Sequence, residues 1–106
     1  MVKVTVYLHE SNIERIHITG HADSVKDIAQ YDMVCAEISA VSVGILNSID
    51  EICGECCDIT MEEGNIDIVV NENSSTLQII LKTLKIQLET IEYSNKKYIK
   101  IRKAEV

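Results

Sequence analysis

The chain opens on an alternation: Val2, Val4, Val6 and Leu8 are apolar, with Lys3, Thr5 and Tyr7 between them. Strand side chains point alternately to two faces, so this reads as a half-buried strand. His9-Glu10-Ser11-Asn12 supplies a turn. Ile16 and Ile18 then alternate with Arg15, His17 and Thr19, a second strand that pairs with the first as a hairpin and ends at Gly20. After Asp32 the period changes. Val34, Ile38, Val41, Ile45, Ile49 and Ile52 recur at three- and four-residue steps. That is the stripe of a helix of about five turns, capped by Asp32 and ending near Gly54. Gly44 falls inside it, where close packing would explain a poor helix former. Cys57, Ile59 and Met61, then Ile66, Ile68 and Val70 beyond the turn Glu63-Gly64-Asn65, predict a second hairpin. Asn71 to Ser74 supplies a turn and an N-cap. Leu77, Ile80, Leu81, Leu84, Leu88 and Ile91 then mark an amphipathic helix. Tyr93 to Lys96 breaks it, and residues 97 to 102 read as the last strand.

The predicted order is ββαββαβ in one domain, residues 1–106. Two one-sided helices on a sheet of about five strands make an α+β fold, a two-layer sandwich. One layer is left open, to be polar or covered by a partner. Ile79 and Ile86 lie off the main stripe of the second helix, which favours a homodimer.

Composition narrows the function. Apolar residues are 46% and charged residues 25%, values of an ordinary folded chain. A net charge of −7 disfavours a nucleic-acid surface, which needs a basic face. No apolar run approaches the roughly 20 residues of a membrane helix, and Met1 to Val6 alternates like a strand and lacks a signal-peptide h-region with its cleavage site, so a cytoplasmic setting is expected. The one basic concentration, Lys96, Lys97, Lys100, Arg102 and Lys103, partly alternates with Tyr98, Ile99 and Ile101, as a solvated strand face would.

Candidate chemistry gathers around Gly20-His21-Ala22 and Asp32-Met33-Val34-Cys35-Ala36. One histidine follows a strand, and one cysteine falls in what the pattern predicts as the first turn of a helix. Unpaired N–H groups and the positive end of the macrodipole favour thiolate there. The same N–H groups are candidates for an oxyanion hole. With an imidazole to take the proton, that is the minimum for cysteine nucleophilic chemistry. The segment between them, Asp23-Ser24-Val25-Lys26-Asp27-Ile28-Ala29-Gln30-Tyr31, reads as a loop at the rim of the site. A core cysteine on a helix and a structural histidine are the alternatives that these residue types also allow.

Gly20-His21-Ala22 followed by Asp32-Met33-Val34-Cys35-Ala36-Glu37-Ile38-Ser39-Ala40 resembles the ribosomal-processing cysteine protease family, Prp. Its signature is GHA, a mobile loop, then D-I-V-C-A-x-x-S-A, and the element order and length match over essentially the whole chain. The loop here is about two residues longer than usual and lacks glycine, and Met33 replaces isoleucine. The resemblance implies a small bacterial homodimer that removes the N-terminal extension of large-subunit ribosomal protein twenty-seven. Cys35 would be the nucleophile and His21 the general base, with no cofactor. Gly20, Asp32 and Ser39 would support them. Asp32 either caps the helix or orients His21, and Ser39 bonds either at the site or back to the helix backbone. A binding module on the same fold, docking on a ribosomal protein without catalysis, is the rival from another class.

Cys53-Gly54-Glu55-Cys56-Cys57 contains a C-x-x-C. A structural zinc site needs four ligands, and no second pair accompanies this one. A thioredoxin-like pair opens a helix, whereas this one closes a helix. Structural cysteines are therefore expected, with Cys57 buried on the parity of Ile59. His9 and His17 are expected on the surface.

Overall fold

β1 (Val2–His9) is the strand against which the sheet assembles. β2 (Asn12–Thr19) runs antiparallel to it on one side, and β5 (Ile99–Glu105) runs parallel on the other. β4 (Asn65–Val70) adds to β2 and β3 (Cys57–Glu62) adds to β4, both antiparallel, giving the order β3-β4-β2-β1-β5. α1 (Ile28–Cys53) connects β2 to β3, and α2 (Ser75–Ser94) connects β4 to β5. This computed structural model describes residues 1–20 and 28–106, without the Ile28 side chain. The predicted ββαββαβ order and the α+β class are what the chain shows.

The core lies between sheet and helices. Val2, Val4, Val6, Ile16, Ile18, Ile68 and Ile99 come from the sheet, and meet the α2 stripe of Leu77, Leu81, Leu84 and Leu88. The other sheet face is polar. There Arg15 donates two hydrogen bonds to Asp67, at 2.8 and 2.7 Å, and its guanidinium lies 5.0 Å from the Tyr7 ring centroid. His17 bonds Asn65 at 2.8 Å on that face, as the alternation predicts, and His9 bonds the Val106 carbonyl at the surface.

β2 begins earlier than the sequence suggests. Tyr7 pairs with Arg15 but Leu8 pairs with Ile13, so Glu14 is an extra residue in a bulge. The bulge aims Ile13 into the core, and the buried Gln78 serves its backbone. The Ile13 N–H donates to Gln78 Oε1, and Gln78 Nε2 donates to the Ile13 carbonyl, both at 2.8 Å. An amide with one acceptor and two donors is suited to both halves of that gap.

α2 matches its prediction, with the Ser74 hydroxyl accepting from the Leu77 N–H at 3.0 Å. α1 does not. It spans 26 residues, about seven turns rather than five, and starts four residues before Asp32. Asp32 is therefore a solvent-exposed interior position and not the N-cap. The extra turn is held by Tyr31, buried in the core, and by Gln30, whose amide donates to Asn95 Oδ1 at the far end of α2. Ile28 to Tyr31 are thus helix, while Asp23, Ser24, Val25, Lys26 and Asp27 lie outside the described residues. Gly54 closes α1 with a φ of +65°. Gly44 has nothing within 4 Å of where a Cβ would stand, so no close packing in this chain explains it.

Three burial expectations also change. Ile52 is exposed, Cys56 is the buried cysteine, and Cys57 is half-buried. Ile59 and Met61 are exposed because β3 is an edge strand at the end of the sheet. The segment Ala29–Cys53 is long and apolar enough to cross a membrane by length and composition, which a count of unbroken apolar runs missed. Here a third of its most apolar window is buried, and it carries Val34, Ile38, Ile45 and Ile49 into the shared core.

Candidate active site

The end of β2, the early turns of α1 and the β3–β4 turn surround an open cavity of about 750 Å³. Its apolar wall is Val2, Ile18, Ile38 and Ile66. Asp32, Ser39, Glu62, Glu63 and Asn65 supply its polar groups, and Tyr31 and Cys35 also line it. Gly20, Asp32, Cys35 and Ser39, separated by up to nineteen positions in the chain, thus meet at one cavity. His21 follows Gly20 directly in sequence and lies outside the described residues.

Gly20 is fixed by space. A Cβ there would stand 2.9 Å from Val2 Cα and 3.2 Å from the Met1 carbonyl oxygen. Only glycine lets β2 end this close to β1, and its N–H donates to the Gly64 carbonyl at 3.2 Å, joining β2 to the β3–β4 turn. The two walls of the cavity are held together at this residue.

Cys35 is the eighth residue of α1, about two turns inside it. The unpaired N–H groups of the helix start are not beside its sulfur, so neither dipole activation nor a first-turn oxyanion hole applies to it. Burial instead pushes the Cys35 thiol above its ordinary value. The neighbouring Tyr31 side chain opposes this, Asp32 reinforces it, and the Met1 α-amino group opposes it more weakly. Tyr31 is thus a site residue with a different part from the loop position the sequence suggested. The signal was available in the i, i+4 spacing of Tyr31 and Cys35, which stacks two side chains on one helix face.

The remaining thiols sit at the other end of α1. Cys56 and Cys57 sulfurs are 3.8 Å apart, and Cys53 interacts with Cys56 and Ser74. Burial, followed by the contact with Cys56, pushes the Cys57 thiol from its ordinary 9.0 up to about 12. All four cysteines are free.

An open cavity with a largely apolar wall and, among the described residues, one thiol in its lining can hold an extended substrate beside a nucleophile. The model of the family "Cysteine protease Prp" matches residues 1–100, and the chain belongs to that family of ribosomal-processing cysteine proteases. The ribosomal processing cysteine protease Prp of Staphylococcus aureus is 33% identical over 96 residues, covering 87% of this chain and 89% of its own length. The crystal structure of that species' protease with a substrate peptide superposes with a TM-score of 0.86 at 29% identity, covering 97% of this chain and 99% of the other. Its complex with a covalently linked product peptide gives 0.83 at 30% identity, with the same coverage.

Proposed function

We propose that this protease removes the N-terminal extension of large-subunit ribosomal protein twenty-seven, with Cys35 as nucleophile and His21 as general base. The observation that carries the reading is the Cys35 thiol in the wall of an apolar cavity open to solvent. In the step proposed, His21 takes the thiol proton as sulfur attacks the scissile carbonyl carbon. The tetrahedral species collapses to a thioester as the amine leaves with that proton, and water then releases the acyl fragment. Family membership and the peptide complexes of the Staphylococcus aureus relative support a peptide substrate.

The test is mass spectrometry of the precursor after incubation with the chain, beside Cys35→Ala and His21→Ala. One N-terminal cut, lost in both variants, is the expected result. A cut that survives Cys35→Ala contradicts it. The second reading, a ribosomal-protein binding module without catalysis, draws on the upward shift of the Cys35 thiol. It predicts binding of the same precursor with no cut. The exposed apolar Ile79 and Ile86 of α2 support a homodimer, and four free thiols suit a cytoplasmic setting.

A further inference from the structure

The sheet ends on one side at β5 and on the other at β3. Among the described residues both present a free backbone edge, and such an edge pairs with an extended chain unless it is blunted. β5 carries Lys100, Arg102 and Lys103, the kind of charges that blunt an edge. β3 has no lysine, proline or bulge, and its two charges, Asp58 and Glu62, share one face. Its hydrogen-bond alternation follows from both ends. The Cys56 carbonyl accepts from the Asn71 N–H at 2.9 Å, and the two-residue turn Glu63-Gly64 closes the hairpin on the pair Glu62 and Asn65. Even-numbered residues from Cys56 to Glu62 therefore bond to β4. The N–H and C=O groups of Cys57, Ile59 and Met61 point away from it.

The same residues carry the apolar face of the strand. Ile59 pairs with Ile68, a core side chain, and Met61 pairs with Ile66. Ile59 and Met61 nonetheless stay 40% and 56% exposed, so the helix layer stops short of them. Met61, Glu62 and Glu63 also line the cavity that holds Cys35. Free edge, apolar strip and thiol are thus continuous. We propose that the substrate peptide binds as a sixth strand on β3, its backbone bonded to Ile59 and Met61 and its chain running on into the cavity at Cys35. Alternate side chains of that peptide lie on Ile59 and Met61 and are apolar. Those between them lie beside Asp58, Thr60 and Glu62 and are polar or basic. This rests on the reading of Cys35 as the nucleophile of a peptidase. A second copy of the chain, paired through β3, is the rival occupant of the edge.

The experiment measures binding of synthetic peptides spanning the N-terminal extension of the ribosomal precursor to the full chain carrying Cys35→Ala. Cys35→Ser takes its place should that variant not fold, and cleavage by the unsubstituted chain is read in parallel. Each peptide carries one backbone N-methyl group, moved one residue at a time. N-methylation removes a single N–H, so strand addition predicts a period of two. Binding is expected to weaken roughly tenfold at alternate positions and to change little between them. Losses without that period, or no binding, would overturn the proposal. Amide hydrogen exchange gives the view from the protein. The Ile59 and Met61 N–H groups are expected to slow at least about tenfold on adding peptide, while Thr60, already bonded to β4, changes little. Protection of Ile59 and Met61 that needs no peptide and grows with protein concentration would assign the edge to a second copy, and would also overturn the proposal. Period-two binding without cleavage would uphold strand addition and sink the protease reading. Cleavage with aperiodic binding would do the reverse.

Discussion

Cys57 shows how a single side chain reports on its surroundings. Packed beside Cys56 and partly desolvated, it holds its proton to about 12 in the folded chain, against 9.0 ordinarily. Between those values an unfolded chain releases a proton that the folded chain keeps. The unfolded state then binds fewer protons, and stability falls as pH rises. Denaturant midpoints are therefore expected to decline from pH 9 upwards. Cys57→Ala should flatten that decline while changing little at pH 7 beyond the loss of a half-buried sulfur. An equal decline in both proteins would contradict the account. The same physics explains why Tyr31 was misread from sequence. A tyrosine beside an aspartate, in a stretch with a lysine and two aspartates, looks like loop until one sees that its ring enters the core.

The elements that were legible are those whose signal is local. Alternation gave four strands, and the Ser74 cap with the Leu77 to Ile91 stripe gave α2, because these patterns follow from strand and helix geometry alone. The start of α1 was not legible. Asp32 has the chemistry of an N-cap, but tertiary burial of Tyr31 and the Gln30–Asn95 bond draw the helix back to Ile28. The β1–β2 bulge was hidden for a similar reason, since its partner Gln78 lies 65 positions away. Asp32→Ala separates the two readings of α1. A true cap loses about 0.5–2 kcal/mol on that change. An exposed interior position stays within about 0.5 kcal/mol, which is the expected result by chemical denaturation. The variant should also lower the Cys35 thiol midpoint, since Asp32 pushes it up.

At the scale of the whole molecule, sheet and helices do different work. The sheet brings Gly20 against Val2 and the β3–β4 turn against Gly20, which sets the cavity opposite α1. The outer helix surface leaves Ile79 and Ile86 in water, 67% and 59% exposed. Sedimentation equilibrium is expected to give twice the 11.9 kDa chain mass. Ile86→Lys, which would place a charge in the face proposed for a two-fold dimer, should then shift the chain towards monomer by about 1.5–3 kcal/mol per protomer. A monomer before any substitution would contradict the proposed dimer. The proposed mechanism requires the Cys35 sulfur to become acylated by the substrate. It is tested most directly by mixing the ribosomal precursor with the chain, quenching in acid and weighing the intact protein. The account predicts a species heavier by the N-terminal fragment less one water, mapped by cleavage after glutamate to the fragment ending at Glu37 and absent in Cys35→Ala. Cleavage that proceeds in Cys35→Ala, or an adduct on Cys53, Cys56 or Cys57, would contradict it.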